Sequence, residues 1–123
     1  MTRSTLSDLN AEQLVERFAS IALAQSAAIN RDDNSVYNQL FDEMELVKSQ
    51  LMQREGDQRL LLLPLLLHSN AQVRLKSAIA TLALDRAAAL HALQMISDSN
   101  EYPQAADARG MLRAVSEGRY SPH

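Results

Sequence analysis

The chain has 123 residues, among them 18 alanines and 20 leucines but only 3 glycines, 3 prolines, 5 valines and 4 isoleucines. Alanine and unbranched side chains lose little freedom in a helix, whereas strands favour β-branched residues, so the balance predicts an all-α protein forming one domain over residues 1–123. The absence of cysteine excludes a disulfide framework, a thiolate metal site and a cysteine nucleophile, and a net charge of −3 argues against a general nucleic-acid binder.

Six helices divide the chain most simply. Residues 1–9 read as a loose end. Asn10 suits the cap of the first helix, with Gln13 as its capping-box partner, and Leu14, Phe18 and Ile21 form the inner face, widened by Val15 and Ala22. The polar cluster 31–34 separates it from a second helix, about 35–55. That helix carries Tyr37, Leu40, Phe41, Met44, Val47 and Leu51 on one face, and Asp42, Glu43, Glu45, Lys48 and Gln50 on the other. Gly56 is placed to end it in a left-handed conformation.

Asp57 is positioned to cap a third helix, about 58–68, apolar on all sides from Leu60 to Leu67 and therefore expected to lie between other helices. Pro64 is too deep for a first-turn proline and predicts a kink. A buried strand is the competing reading, disfavoured because leucine marks strands poorly. Ser69 and Asn70 cap a fourth helix, about 71–84, with Val73, Leu75, Ala78, Ile79 and Leu82 inward. Asp85 caps a fifth, about 86–97, with Leu90, Leu93 and Ile96 inward. After a loop over 97–102, Pro103 opens a sixth, about 103–117, with Ala105, Ala108, Leu112 and Val115 inward. Gly118 ends it, and 119–123 reads as a tail.

Residues 1–57 hold ten acids and five bases, net −5, and residues 58–123 hold five acids and seven bases, net +2. Such polarity suits head-to-tail stacking or a charged partner, and equally fits ordinary scatter of surface charge. The longest apolar run, Leu60–Leu67, is far short of the about 20 residues that span a bilayer, and the first residues lack the apolar stretch of a secretory signal. The expected location is the cytoplasm.

Shifted by 30 residues, the chain aligns with itself. Leu60, Leu63 and Leu66 fall on Leu90, Leu93 and Ile96; Ser69-Asn70 on Ser99-Asn100; Ala78 on Ala108; and Leu82 on Leu112. A repeated helical hairpin of this length marks an α-solenoid. The stretch Leu63-Pro64-Leu65-Leu66, followed by His68-Ser69-Asn70, Val73-Arg74 and Ala78, resembles a HEAT-type repeat, in which a proline-kinked first helix ends in a polar turn and a Val-Arg pair opens the second. The wider pattern also resembles a small bacterial family of unknown function with HEAT-like hairpins. Tyr37-Asn38, Leu40, Arg59, the 62–74 stretch, Pro103, Ala105 and Ala108 carry that likeness over roughly residues 36–114. The sixth helix departs from it, since Pro103 stands where the Val-Arg pair is expected, so this unit reads as a degenerate terminal cap. The resemblance implies a short right-handed α-solenoid of three antiparallel hairpins and a protein-binding role.

No catalytic motif is present. The three glycines are isolated, so there is no phosphate-cradling loop, and neither an H-E-x-x-H nor a G-x-S-x-G occurs. His68 and His91 lie on repeat-related helices but seven positions out of phase, about 10 Å along a helix axis, which argues against a shared metal site. Asp42, Glu43 and Glu45 read as a solvated helix face. No cofactor is expected.

Four cations form the candidate binding site. Arg109 and Arg113, four apart, make one ridge beside Ala106 and Gly110, while Arg74 and Lys76 lie near the start of the fourth helix. On the concave side of a HEAT-like stack they would line a shallow basic groove for an acidic peptide, another copy's acidic second helix or a phosphate-bearing ligand. Against this stand structural roles: the HEAT resemblance implies that Arg74 holds the neighbouring repeat, and Arg109 and Arg113 can pair with Asp107, Glu117 or water. Gly110 inside a helix reads as a mark of close helix packing, or of close approach by a ligand. The leading expectation is a non-enzymatic protein-interaction module, such as a regulatory adaptor or an immunity-type inhibitor, with a homodimer as one way to cover the ends of a short stack. The alternative is a nucleic-acid-associated HEAT-like repeat using the basic groove.

Overall fold

A computed structural model describes residues 3–123. Among them lie six α-helices, one 3₁₀ helix and no strand: α1 (Arg3–Ser7), α2 (Ala11–Asn30), α3 (Asn34–Gln53), the 3₁₀ segment Gln58–Leu67, α4 (Ala71–Thr81), α5 (Arg86–Ser97) and α6 (Gln104–Ser116). The protein is all-α, as its composition predicts. None of these helices is long and apolar enough to cross a membrane. The chain divides into two compact units, Met1–Leu62 and Leu63–His123.

In the first unit α2 packs along α3, and α1 sits against α3. The capping box at the head of α2 forms as predicted: Gln13 N donates to Asn10 Oδ1 at 2.8 Å, and Asn10 N donates to Gln13 Oε1 at 2.9 Å. Leu14, Phe18, Ile21 and Ala22 of α2 and Met44, Val47 and Leu51 of α3 are among this unit's buried apolar residues. Phe41, expected inward, is exposed. The expected loose end over residues 1–9 instead contains α1, whose Leu6 is fully buried and whose Leu6 carbonyl accepts from Arg54 Nη2 at 3.4 Å. Beyond α3, Gly56 and Asp57 both turn left-handed, with φ of +79° and +49°. Asp57 spends its carboxylate mainly on Arg59: Arg59 Nε donates to Oδ1 at 2.9 Å and Nη2 to Oδ2 at 2.7 Å. The Arg59 guanidinium hydrogen bond holds the Asp57 carboxyl below its ordinary range.

The leucine-rich segment corrects two expectations. It winds as a 3₁₀ helix and not as a proline-kinked α-helix, with i to i+3 bonds at its ends from Leu60 N to Asp57 O and from His68 N to Leu65 O. An α-helix would push the Pro64 ring into the Leu60 carbonyl, and the tighter winding moves that carbonyl aside. Nor is the segment buried on all sides. Only Arg59 and Leu62 are buried, while Leu60, Leu61 and Leu67 are exposed.

In the second unit α5 packs against both α4 and α6, and α4 also touches α6. One core unites them: Leu75, Ala78 and Leu82 from α4 and its end, Ala89, Leu93 and Ile96 from α5, and Ala108 and Val115 from α6. The predicted caps hold, since Asn70 Oδ1 accepts from Gln72 N and Val73 N, and Asp85 Oδ1 accepts from Ala88 N. The 30-residue correspondence is partial. Ala78 and Ala108 are both fully buried, but Asn70 caps a helix whereas Asn100 sits at φ +62° and caps nothing. A buried Gln104 Nε2 to Gln72 Oε1 hydrogen bond of 2.9 Å ties α6 to α4. Gly118 ends the last helix at φ +73°, and Tyr120 N returns to Ala114 O, so the tail is anchored through Tyr120.

Gly110 does not mark a close approach, because a Cβ placed there meets nothing within 4 Å. With no neighbour to displace, Gly110→Ala keeps only the propensity gain. It should raise stability by about 0.5–1 kcal/mol, read as a higher urea midpoint with an unchanged slope.

Candidate functional site

The second unit carries an apolar groove of about 670 Å³. One wall is the end of the 3₁₀ segment, contributing Leu63, Leu66 and Leu67. The other is a single face of α5, Ala88, His91, Ala92 and Met95, spaced i, i+3, i+4 and i+7. This face lies beside the one that α5 turns inward through Ala89, Leu93 and Ile96, so the helix has two working surfaces. Leu67 is 90% exposed and Met95 59% exposed, leaving large apolar side chains in water at the groove's edge.

Polar groups sit around it. His68 Nδ1 accepts from Asn70 N at 3.0 Å, so the neutral ring carries its proton on Nε2. His91 lines the same groove. No group of three or more acidic or imidazole side chains able to hold a metal ion occurs among the described residues. Asp85 is occupied as the cap of α5. Arg74, also on the lining, donates to Glu101 Oε1 at 2.8 Å and to Ser69 O at 3.5 Å, so its charge is matched by a carboxylate. The rim is close to neutral, and the walls are grease.

The four predicted cations do not line one cavity. Arg74 binds the turn between α5 and α6 through Glu101, the kind of structural role weighed against ligand binding. Arg109 clamps the end of α5: Nη2 donates to Ser97 O at 2.8 Å, Nε to Ser97 Oγ at 3.3 Å and Nη1 to Tyr102 Oη at 3.0 Å, with the guanidinium 5.6 Å from the Tyr102 ring centre. A cation on the last carbonyls of a helix also suits the helix dipole. Lys76 acts on Asp107: partial burial pushes the Asp107 carboxyl up, and the Lys76 charge draws it back. Only Arg113 faces a second cavity, a shallow furrow of about 500 Å³ floored by Leu90, Leu112 and Val115, with Arg86 on its other side.

Sequence reasoning missed the apolar groove. The alternation of Ala88, Ala92 and Met95 with the inner stripe was its one local signal, and the other wall comes from a segment more than twenty residues earlier.

Residues 12–116 match the profile of a domain of unknown function, DUF2019. The chain belongs to that family. The DUF2019 match begins in α2, leaves α1 outside, and includes every residue of both cavities. Among solved structures, the crystal structure of the protein RPA1889 from Rhodopseudomonas palustris CGA009 is 36% identical, with a TM-score of 0.93 over 96% of this chain and 98% of that one. A search of curated proteins gives no match for this DUF2019 chain.

Proposed function

We propose that this DUF2019 protein is a non-catalytic, cytoplasmic protein-binding module of the short HEAT-like solenoid type, acting as an adaptor or immunity-type inhibitor. Its groove receives one amphipathic helix of a partner protein. The observation that supports this best is the lining itself: two apolar walls with Leu67 and Met95 standing in water. The alanines at 88 and 92 leave a furrow along α5 into which the ridge of another helix fits, and the stripe from Ala88 to Met95 matches about two turns of it. The Arg74–Glu101 pair leaves the rim without a large net charge, which favours an apolar helix with mixed polar flanks over an acidic peptide. The HEAT-like reading draws support from the two successive α4–α5 and α5–α6 hairpins, the buried Ala78/Ala108 repeat pair and the reach of Arg74 to the following turn.

The nucleic-acid reading has less behind it. Arg74, Lys76 and Arg109 are engaged inside the chain, so few cations remain for phosphates.

The test places a photo-crosslinking side chain at Leu67, at Met95 and, as control, at the exposed Leu23 of α2, in cells of the native host. The expected result is one shared protein adduct at 67 and 95, absent at 23, mapping to a helical segment. Met95→Asp should then weaken the purified complex at least tenfold, about 1.4 kcal/mol. Adducts to nucleic acid, or none above the Leu23 control, overturn the reading.

A further inference from the structure

We propose that copies of this chain associate head to tail, the acidic outer stripe of α3 of one copy docking in the basic furrow between α5 and α6 of the next. The proposal stands apart from whatever fills the Leu67–Met95 groove. It rests on the complementary charge and apolar character of two surfaces.

The furrow lies between the helices of the last hairpin. Leu90, Leu112 and Val115 form an apolar floor, Arg86 and Arg113 stand at its sides, and no acidic residue belongs to its lining. Neither arginine makes an ion pair among the described residues. A cationic rim over grease selects an occupant that brings carboxylates flanking an apolar side chain.

The solvent face of α3 has that composition. Phe41, Asp42, Glu45 and Met52 follow one stripe at helical spacing, with all four side chains exposed and Phe41 42% so. Glu45 is paired only with Lys48, at 3.4 Å and three residues on, an exposed contact of the weakest kind that a better-placed arginine displaces. The charge of the units agrees: Met1–Leu62 carries ten acids and six bases, net −4, and Leu63–His123 carries five acids and six bases, net +1. Unlike units therefore attract and like units repel, which selects contact between the first unit of one copy and the second unit of the next. The two patches are different surfaces, so the contact is heterologous, and each copy keeps one donor face and one acceptor face.

The experiment measures mass by light scattering and sedimentation from micromolar to millimolar protein, at low and high salt. Wild type is expected to gain mass with concentration and to lose it with salt. Two charge-reversal variants, Asp42→Arg/Glu45→Arg and Arg86→Glu/Arg113→Glu, should each weaken association at least tenfold while keeping wild-type circular dichroism. Mixed in equal amounts they should associate again, because each supplies the face that the other lacks. Met95→Asp should leave self-association unchanged. A wild type that stays monomeric throughout, a mixture that fails to re-associate, or loss of association in Met95→Asp overturns the proposal.

Discussion

Leu93→Ala is expected to cost about 3–4 kcal/mol of stability, whereas Leu63→Ala, the same deletion at the repeat-related position, should cost about 1 kcal/mol. Leu93 is fully buried and lies among Leu75, Ala78, Leu82, Ala89, Ile96, Ala108 and Val115, side chains from three helices. Removing its isobutyl group loses the transfer free energy of those carbons, and it also leaves a hole that packed helices close only in part. Leu63 is half-buried on the wall of an open groove, where water already reaches it and no sealed cavity can form. Urea denaturation followed by far-UV circular dichroism separates the two cases as midpoints. Equal losses would mean that the 30-residue correspondence extends to packing, and the burial described above would then be wrong.

The unequal pair shows how far a sequence pattern reaches. Local devices were legible because their physics is local. Asn10 with Gln13, Asn70 and Asp85 each satisfy helix-end donors two or three residues away, and each does so in the structure. Periodicity likewise found Leu14, Phe18, Leu75 and Leu93 as core. Residues 58–67 were misread because runs of leucine suit a buried α-helix and a 3₁₀ helix equally, and ten-residue 3₁₀ segments are rare enough to be passed over. Leu6 escaped notice because a five-residue helix holds too little of a period to show a face.

The site was less legible than the fold for one reason: its partners are distant in sequence. Charge spacing put Arg109 and Arg113 on a ridge, but nothing local announces that Arg109 ends on the Ser97 carbonyl or that Arg74 ends on Glu101. The groove has the same character, with Leu66 and Leu67 facing a stripe of α5 that reads in isolation as filler alanines. His68 and His91 both line it, one from each wall's segment.

Asp57→Asn is expected to cost about 2 kcal/mol at neutral pH, from one oxygen-to-amide exchange. Asparagine tolerates the left-handed φ of +49° at this position and keeps the shape of the side chain, so the change isolates the charge. What it leaves behind is the Arg59 guanidinium, only 8% exposed, deprived of the carboxylate that both of its forked donors reach. Breaking a buried ion pair by removing one partner usually costs about 3–5 kcal/mol, and the 29% exposure of Asp57 lowers the expectation because water shares the screening. The sign of the pH dependence follows from the same bond. Arg59 lowers the folded-state pKa of Asp57, so the carboxylate's contribution is fully present above the unfolded value of about 3.9 and is lost as pH falls through the lower folded value. The stability gap between wild type and Asp57→Asn should therefore be constant from neutral pH down to about pH 5 and should close below about pH 4, where wild type also loses the charge. Urea midpoints of both proteins across that range read the gap directly. A gap that persists undiminished in acid would place the cost in the shape of the turn, with the ion pair contributing nothing.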